Sequence, residues 1–487
     1  MRLKVAKSQT KAKVANNNTN TYDFDLIIVG GGSAAFSGAL RASELGGKVL
    51  IINDGLPIGG TCVNVGCIPS KTLIRAGEAS YHASHTHFEG IETHSVVTDF
   101  KRVIQQQKEL VADMRQEKYV DVIDDDPNIK WVRGRGRFTD EHSVEVGGKV
   151  YRGQFIMIAT GARPFIPIVP GLSEAGYLTN ETAYELEERP EHLIVLGGRY
   201  VGLENAQLFR HLGSAVTLLQ RSDRILPNES SDLTEDLHKY LEEEGIRILT
   251  GVELEKVYPI GNEVIVQIRH KDKTERIKGS HILAATGRQG NTDKLGLGNI
   301  GVKIHGQGYV AVDETLRTTQ PHIFAVGDVN GVAQFVYTAA YEGQLAATNA
   351  ITGTHQKRDF SVIPWVIFTD PQVAGVGMDE LQAGSAGIDF GVSKLELSQV
   401  PRAQVARDTR GFVKLIRDKS NDHLIGARIL APEGSELLME ISLAIRHNIT
   451  VKELINEFHP YLTLSEAIKL AALKFTKDVT RLSCCAV

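Results

Sequence analysis

An apolar run, a glycine-rich turn, a helical segment and a second apolar run follow one another early in the chain. The segment DFDLIIVGGGSAAFSGALRASELGGKVLIINDG contains Gly30-x-Gly32-x-x-Ala35 and ends its second apolar run at Asp54. This order predicts a strand, turn, helix, strand unit. Glycines in such a turn let backbone amides approach a pyrophosphate, and an acid after the second strand suits a ribose. The segment therefore predicts a dinucleotide-binding unit.

The same order of apolar and polar positions returns in EHLIVLGGRYVGLENAQLFRHLGSAVTLLQRSDRIL. Gln220 stands here at the place that Asp54 takes in the first unit, and Arg221 and Arg224 follow it. Losing an acid and gaining cations favours a cofactor with a 2′-phosphate, so this unit predicts NADPH rather than NADH. Two arginines on a solvated loop are the alternative. The cofactor-binding candidates of this unit are Gly197, Gly198, Arg199, Tyr200, Gly202, Gln220, Arg221 and Arg224.

Arg199 departs from the dinucleotide pattern, because it stands where the fingerprint has its middle glycine. A side chain at this position keeps the backbone further from a pyrophosphate. We expect either a slightly displaced cofactor or a contact between the guanidinium and a phosphate. Two dinucleotide units in one chain indicate one cofactor that stays bound and one that exchanges.

Three later segments, FIMIATGARP, HILAATGRQGNT and HIFAVGDV, each end an apolar run in a turn of small residues. Such turns let the backbone approach a bound cofactor closely, and the acid of the third turn can accept hydrogen bonds from a hydroxyl chain. Tight strand ends without a ligand are the alternative. The candidates from these turns are Thr160, Gly161, Gly287 and Asp328.

The segment GGTCVNVGCIPSKTLIR places Cys62 and Cys67 directly after the first dinucleotide unit. Gly66 and Pro69 predict an interrupted helix, with Cys67 near the start of its second part. A helix N-terminus lowers the pKa of a thiol, so the pattern predicts a redox pair. An iron–sulfur site is the alternative, but no third cysteine follows at the required spacing. For the neighbouring YHASHTH segment, a solvated histidine-rich loop is favoured over a zinc site.

Composition narrows the class of protein. A chain of 487 residues can form about three domains, and a net charge of -5 provides no basic face for nucleic acid. No run of about 18 apolar residues is present, so we expect no membrane span. Four cysteines are too few for a secreted disulfide scaffold and favour the cytoplasm. The first 21 residues carry five basic side chains and no acid, and we expect a disordered tail.

Together, these motifs resemble the flavin-dependent disulfide oxidoreductases, the family of glutathione reductase and dihydrolipoamide dehydrogenase, from about residue 22 to the C-terminus. The resemblance implies FAD in the first unit, NADPH in the second, and a disulfide between Cys62 and Cys67 that exchanges electrons with the flavin. It implies that Lys71 pairs with Glu204 beside the reactive flavin nitrogen, and that Tyr200 covers the nicotinamide pocket. A helix starting near QFVYTAA would direct its N-terminus at the flavin ring. The FAD-binding candidates that the resemblance supports are Gly60, Thr61, Lys71 and, on the ribityl chain, Asp328.

The C-terminal segment FHPYLTLSEAIKL departs from the disulfide-reducing members of that family. Those members have a proton-shuttling histidine in a His-Pro-Thr-x-Ser-Glu motif. Aligning TLSE with the end of that motif puts Tyr461 at the histidine and leaves His459 two places earlier. Tyrosine, with an ordinary pKa of about 10, is a poor proton shuttle at neutral pH. We therefore expect a substrate other than a disulfide.

The terminal LSCCAV, with Cys484 and Cys485, completes a resemblance to the branch of the family that reduces mercuric ion. Hg(II) is a soft cation that prefers thiolates. The resemblance implies that the terminal pair takes Hg(II) from small thiols and passes it to Cys62 and Cys67, where electrons from NADPH reduce it to Hg(0). It also implies a homodimer whose active sites combine the first cysteine pair of one subunit with Tyr461 and the terminal pair of the other. An inert thiol pair in a frayed tail is the alternative.

Three other functions compete with mercury detoxification. A thioredoxin-reductase-like or a lipoamide-dehydrogenase-like enzyme would keep the histidine that Tyr461 replaces. A metal-binding relative without turnover is the third, and Arg199 favours it. The discriminating observation is NADPH oxidation that depends on Hg(II).

The expected fold class is α/β, with two Rossmann-like dinucleotide-binding domains and a C-terminal α+β dimerisation domain. The predicted division is a basic tail at 1–21, an FAD-binding domain at 22–165 and 288–358, an NADPH-binding domain at 166–287, and an interface domain with the Cys-Cys arm at 359–487.

Overall fold

The first dinucleotide unit forms the centre of a mixed sheet in the computed structural model, which describes residues 22–481. The order of its strands is β3, β2, β1, β6, β5, β4, and β1 pairs in parallel with both neighbours. Its elements up to residue 165 are β1 (Phe24–Val29), α1 (Ser33–Glu44), β2 (Val49–Asn53), α2 (Gly60–Val65), α3 (Cys67–His82), α4 (Phe100–Arg115), α5 (Asp121–Asp124), β3 (Ile129–Arg133), β4 (Arg137–Asp140), β5 (Ser143–Val146), β6 (Lys149–Ile158) and β7 (Ala162–Pro164).

The apolar runs that predicted β1 and β2 are buried along almost their whole length. Ile28 of β1 lies opposite Ile51 of β2 and Met157 of β6, and all three side chains are inaccessible to solvent. A central parallel strand is covered on both faces, which explains why its sequence is continuously apolar rather than alternating. Each such side chain contributes roughly 1.5–3 kcal/mol to the stability of the sheet.

The second unit forms a parallel sheet in the order β10, β9, β8, β14, with an antiparallel sheet of β11, β12 and β13 beside it. The two predicted strands of this unit, β8 and β9, are neighbours. The elements are α6 (Leu172–Ala175), α7 (Asn180–Ala183), β8 (His192–Leu196), α8 (Tyr200–His211), β9 (Ala215–Gln220), α9 (Ser231–Glu243), β10 (Ile246–Thr250), β11 (Glu253–Ile260), β12 (Glu263–His270), β13 (Lys273–Gly279) and β14 (His281–Ala284).

The chain then returns to the first sheet. Phe324 of β18 pairs with Met157 of β6, and α10 packs on α1 so closely that a Cβ at Gly343 would lie 2.1 Å from the carbonyl oxygen of Ala34. The helix predicted near QFVYTAA is therefore present. The elements of this part are β15 (Arg288–Gly290), β16 (Ile304–His305), β17 (Tyr309–Val310), β18 (Ile323–Ala325) and α10 (Val336–Thr352).

The C-terminal part forms an antiparallel five-stranded sheet in the order β19, β20, β23, β22, β21. Its elements are β19 (Trp365–Ile367), β20 (Gln372–Gly377), α11 (Glu380–Ser385), β21 (Phe390–Glu396), α12 (Pro401–Ala406), β22 (Phe412–Asp418), β23 (Leu424–Ala431), α13 (Leu438–Arg446), α14 (Val451–Asn456) and α15 (Glu466–Leu473). Within residues 22–481, no helix is both long enough and apolar enough for a membrane crossing. The predicted boundaries at 165, 287 and 358 stay predictions.

Candidate active site

The predicted interruption of the cysteine helix is found at Gly66, which separates α2 from α3. A Cβ at Gly66 would lie 2.9 Å from the carbonyl oxygen of Thr61, so the interruption between the two helices needs a glycine. Cys62 lies within α2, and Cys67 is the first residue of α3. Both side chains are half-buried free thiols, so the structure describes the dithiol form and the implied disulfide stays a prediction.

The two thiols differ in acidity because they share a hydrogen bond. The bond from the Cys62 thiol to the Cys67 sulfur lowers the pKa of Cys67, burial opposes this effect, and the charge of Lys71 adds to it. The same hydrogen bond, followed by burial, raises the pKa of Cys62. A thiolate therefore forms first at Cys67, the residue that the sequence placed at a helix N-terminus.

A partly buried ion pair lies one helical turn beyond Cys67. The Nζ of Lys71 is 2.7 Å from Oε2 of Glu204, which projects from α8. The Oε1 of Glu204 accepts a hydrogen bond of 2.9 Å from the backbone N–H of Phe368, and the Lys71 ammonium lies 4.7 Å from the centre of the Phe368 ring. The structure thus brings together two residues that the sequence placed far apart, one from each dinucleotide-binding part of the chain.

The turn between β1 and α1 is held in place by the redox segment. Gly30 has φ +125 and donates to the carbonyl oxygen of Ile52 at 2.8 Å. The backbone N–H of Gly59 donates to the carbonyl oxygen of Gly31 at 2.7 Å, and a Cβ at Gly60 would lie only 2.6 Å from the Cα of Gly32. The backbone before Cys62 therefore lies directly against the first dinucleotide turn.

Two glycines at the predicted strand ends have open space beside them, where a dinucleotide can approach the backbone. Gly161 has φ +67 and Gly287 has φ +124, and a Cβ at either position would meet no atom within 4 Å. The Asp328 carboxylate is 22% exposed and lies 3.6 Å from Nε of Arg288. Burial raises the pKa of Asp328, and the Arg288 charge opposes this shift. Open space beside a glycine backbone suits the phosphates of FAD, and a carboxylate can accept hydrogen bonds from its ribityl hydroxyls, so these residues fit that group.

Two other candidates for this site have internal roles. Thr160 donates its hydroxyl hydrogen to the carbonyl oxygen of Asn291 at 2.7 Å, which links the turn after β6 to the residue after β15. Ala35 is fully buried in the first turn of α1. Both residues shape the backbone around the dinucleotide turn rather than presenting side-chain donors.

The pairing of Asp54 with Gln220 as equivalent positions is wrong by one residue. Gly197 donates to the carbonyl oxygen of Leu219 as Gly30 does to that of Ile52, so the counterpart of Gln220 is Asn53. Asp54 lies one residue beyond the strand and bonds to Nε of Arg135 at 2.7 Å. The error came from counting to the first acid rather than to the end of the strand. Asn53 is therefore a site residue that the sequence reasoning missed.

Arg199 fits the second turn without strain. It has φ -114 and ψ -170, which is extended backbone that any residue adopts, and Gly32 has nearly the same values of φ -93 and ψ -171. Gly202 is the position that requires a glycine, because a Cβ there would lie 1.8 Å from the carbonyl oxygen of Gly197. Arg199 therefore does not distort the turn, and its side chain remains available to a phosphate.

The residues after β9 form a loop attached to this turn. The buried side chain of Gln220 accepts a hydrogen bond of 2.9 Å from the backbone N–H of Gly198. Arg221 is exposed, and Arg224 donates one hydrogen bond of 3.1 Å to the carbonyl oxygen of Pro227. Gln220 thus stabilises the turn, while the two arginines supply positive charge at its open side.

Tyr200, the first residue of α8, is surrounded by aromatic rings. Its ring centre is 5.7 Å from that of Trp365 and 6.4 Å from that of Phe335, in stacked arrangements. Burial raises the pKa of Tyr200 to about 12, so it stays a neutral phenol at physiological pH. Trp365 is another residue that the sequence reasoning missed, since no local pattern connects it to Tyr200.

The C-terminal candidates lie on a separate surface. Tyr461 is 49% exposed in the segment between α14 and α15, beside the almost fully exposed Phe458. The His459 side chain is 6% exposed and its Nε2 lies 2.7 Å from Oε1 of Glu440, so a hydrogen bond to this carboxylate holds the histidine in place. Burial raises the pKa of Glu466, the acid aligned with the disulfide-reductase motif. Cys484 and Cys485 lie outside the described residues.

Comparison with known proteins gives this architecture a family. A model described as pyridine nucleotide-disulphide oxidoreductase matches residues 24–343, and a model of the dimerisation domain of the same family matches residues 363–472. The chain belongs to the pyridine nucleotide-disulphide oxidoreductase family. The predicted fold class is thereby confirmed, and the dimerisation domain indicates a homodimer.

Within this oxidoreductase family, the chain is similar to mercuric reductases. It is 42% identical to the mercuric reductase of Bacillus cereus over 98% of this chain and 76% of that protein. It is also 42% identical to the mercuric reductase of Streptomyces lividans over 95% of this chain and 98% of that one. The resemblance found in the sequence is confirmed at full length.

Among solved structures, this oxidoreductase is similar in fold to a flavoprotein. An HOCl-induced flavoprotein disulfide reductase from Escherichia coli has a TM-score of 0.82 and 30% identity over 91% of this chain and 98% of that chain. The Cu(II) complex of that reductase has a TM-score of 0.84 and 30% identity, over 94% of this chain and 100% of that one. The cofactors of an oxidoreductase of this kind are FAD and NADPH.

Proposed function

We propose that this pyridine nucleotide-disulphide oxidoreductase detoxifies mercury by reducing thiolate-bound Hg(II) to Hg(0) with electrons from NADPH. The observation that carries the proposal is the Cys62 and Cys67 dithiol beside the ion pair of Lys71 and Glu204. It occurs in a chain that is similar to mercuric reductases over nearly its whole length. Soft thiolates are the protein ligands that Hg(II) prefers.

The two cofactors have separate sets of residues in this proposal. FAD, when bound, accepts a hydride equivalent from NADPH and supplies two electrons at the cysteine pair. The FAD-binding residues are Gly30, Gly32, Ala35, Gly60, Thr61, Lys71, Thr160, Gly161, Gly287 and Asp328, with Asn53 rather than Asp54 at the end of the second strand, and the NADPH-binding residues are Gly197, Gly198, Arg199, Tyr200, Gly202, Gln220, Arg221 and Arg224.

The cysteine pair holds the substrate during reduction. The lowered pKa of Cys67 makes it the first of the two thiols to become a thiolate, and Cys62 gives up its proton when Hg(II) bonds to its sulfur, as metal binding by thiols releases protons. Lys71 stabilises the thiolate, and Glu204 fixes the position of Lys71. Two electrons convert Hg(II) to Hg(0), and both sulfurs leave the reaction as thiolates, so no disulfide is consumed.

Delivery of Hg(II) belongs to the C-terminal arm. Cys484 and Cys485 take the ion from small thiols and pass it on by exchange between thiolates. Tyr461 and this terminal pair act in the partner subunit's active site. The position of Tyr461 in the dimerisation part of the chain, exposed and next to the apolar Phe458, supports an arrangement across the interface. The cytoplasm, with NADPH and reduced thiols, is the compartment that suits the reaction.

A comparison of electron acceptors tests the proposal. Purified protein with FAD is supplied with NADPH and, in separate reactions, with Hg(II) in excess small thiol, lipoamide, or thioredoxin. We expect NADPH oxidation only with Hg(II), accompanied by mercury vapour. Turnover with lipoamide or thioredoxin in place of Hg(II) would make the protein a disulfide reductase, and Hg(II) binding without NADPH oxidation would make it a metal-binding relative.

The double variant Cys484→Ala, Cys485→Ala tests delivery separately. We expect slow turnover of thiol-bound Hg(II), with reduction of the flavin by NADPH at the rate of the unmodified protein. Normal Hg(II) turnover in this variant would contradict delivery by the terminal pair.

A further inference from the structure

Five residues directly opposite one another form a row across the C-terminal sheet. Trp365 of β19 pairs with Gly375 of β20, and Gly375 pairs with Arg428 of β23. Arg428 pairs with Lys414 of β22, which pairs with Lys394 of β21. Residues directly opposite in neighbouring strands share a face of the sheet. We call these five positions the cationic row, because three adjacent strands contribute a positive charge to one face.

Gly375 allows the side chains on either side of it in this row, Trp365 and Arg428, to meet. A Cβ at Gly375 would lie 2.4 Å from the ring of Trp365, so the ring lies over the glycine. In this position the centre of the Trp365 ring is 5.5 Å from Cζ of Arg428, within the range of a cation–π contact.

The cations of the row contact acids that belong to the NADPH-binding part of the chain. Arg428 is 2% exposed, and its Nε lies 2.6 Å from Oε2 of Glu229. Lys414 is 1% exposed, and its Nζ lies 2.9 Å from Oδ1 of Asp232, next to the start of α9. Removing one partner of a buried ion pair costs several kcal/mol, because the other charge stays buried without compensation. The sheet therefore holds the entry to α9 firmly.

Glu229 is part of the loop from residue 221 to residue 230, which carries Arg221 and Arg224. The backbone N–H of Glu229 donates to the carbonyl oxygen of Leu226 at 2.9 Å, and the N–H of Leu226 donates to the carbonyl oxygen of Gly198 at 3.0 Å. The middle of the loop is thus bonded to the dinucleotide turn, and its last part is bonded to Arg428.

The opposite side of Arg428 leads to Tyr200. The Trp365 ring under the Arg428 guanidinium stacks on the Tyr200 ring at 5.7 Å, with 22° between the ring planes. Arg428 therefore contacts the loop of Arg221 and Arg224 directly, through Glu229. It contacts Tyr200 indirectly, through the ring of Trp365.

We propose that Arg428 is a positioning residue for NADPH, because it fixes the loop that carries Arg221 and Arg224 and, through Trp365, the ring of Tyr200. The inference rests on the proposed roles of those three residues. Arg428 touches no cofactor itself. It makes the C-terminal sheet, whose family role is dimerisation, a determinant of NADPH affinity as well.

The test uses the FAD-containing dimer and two charge-neutral double variants. Arg428→Met with Glu229→Gln removes this ion pair at unchanged net charge, and Lys414→Met with Asp232→Asn removes the neighbouring pair of the same row, which holds Ser230 and the start of α9 rather than Glu229. NADP+ binding is measured by titration calorimetry, and the KM for NADPH and kcat are measured with Hg(II). For the Arg428 variant we expect binding about tenfold weaker and a higher KM, with kcat retained at saturating NADPH. For the control we expect binding within about twofold.

Trp365→Leu changes no charge and tests the contact that runs from Arg428 through the Trp365 ring to Tyr200. We expect weaker NADP+ binding here as well, so this variant keeps the inference testable if the Arg428 double variant does not fold. Unchanged NADP+ affinity in both, or an equal loss in the Lys414 control, would overturn the role of Arg428. Absence of NADP+ binding to the unmodified protein would overturn the proposed function and the inference with it.

Discussion

The two dinucleotide turns have the same backbone at their start and different surroundings. Gly30 with φ +125 and Gly197 with φ +111 each donate a hydrogen bond of 2.8 Å to the strand on one side. The first turn then lies against the redox segment, where Gly60 approaches Gly32. The second lies against a loop with exposed positive charge and has Arg199 at the position that Gly32 takes in the first turn. Surroundings, rather than the glycine motif, distinguish the two sites.

This difference matches the two tasks of the protein. Because the segment that carries Cys62 is bonded to the first turn, we expect it to enclose a cofactor there and keep it next to the thiols. A cofactor in the second site reaches an open turn, where charge rather than enclosure supplies affinity. A resident FAD and an exchanging NADPH are the expected outcome.

Closing the small gap at the first turn should have the largest effect. In Gly60→Ala, the added Cβ would lie 2.6 Å from the Cα of Gly32, and φ is +64. We expect a cost of about 3 kcal/mol or more and protein recovered mostly without FAD. The ratio of flavin to protein absorbance measures this. Gly55→Ala is the control, because Gly55 also has positive φ, at +79, but open space around it; equal FAD content in the two variants would contradict the enclosure of the first site.

Lys71 and Glu204 should shift the reactivity of the first site in opposite directions. Lys71 lowers the pKa of Cys67 and Glu204 raises it, so Lys71→Met should raise that pKa and Glu204→Gln should lower it further. Cys67 is a thiolate above its lowered pKa and loses that charge as pH falls through it. As the pH falls, Cys67 should therefore become protonated at a higher pH in Lys71→Met than in the unmodified protein. The pH dependence of alkylation of the reduced protein measures this, and shifts of the same sign in both variants would contradict the electrostatic account.

Removing positive charge from the second site should weaken the binding of NADPH more than the binding of NADH. For Arg221→Gln with Arg224→Gln we expect a KM for NADPH about tenfold higher and little change for NADH, because only NADPH carries the 2′-phosphate. Arg247→Gln is the control, since Arg247 is an arginine of β10 that pairs with Glu275. An equal rise in KM for both nucleotides would show that the two arginines do not read the 2′-phosphate.

Arg199→Gly should have the smallest effect. The backbone of Arg199 already has the conformation of Gly32, so the change relieves no strain. We expect the KM for NADPH to change by less than about threefold. A rise of tenfold or more would mean that Arg199 binds NADPH through its guanidinium and not only through its backbone in the turn.

The sequence was most informative where structure depends on near neighbours. The strands, the glycine turns and the helix break at Gly66 follow from short patterns, and all are present. The family resemblance supplied the contact of Lys71 with Glu204, which no local pattern contains.

Contacts set by distant register could not be predicted. The row from Trp365 to Arg428 depends on how β19, β20 and β23 align, and cross-strand register is not written in any one strand. The shift from Asp54 to Asn53 depended on where β2 ends, which is the least certain feature of a sequence pattern. The placement of Tyr461 in an active site depends on a second subunit, so it stays a prediction.

The most direct test of the central claim compares NADPH consumed with mercury released by the unmodified protein and by Cys67→Ala, in excess small thiol. Because NADPH supplies two electrons and Hg(II) accepts two, we expect equal amounts of NADPH oxidised and Hg(0) released by the unmodified protein. For Cys67→Ala we expect no Hg(0), although NADPH still reduces its FAD. Release of Hg(0) at the normal rate by Cys67→Ala, or NADPH oxidation that does not depend on Hg(II), would contradict reduction of mercury at the cysteine pair.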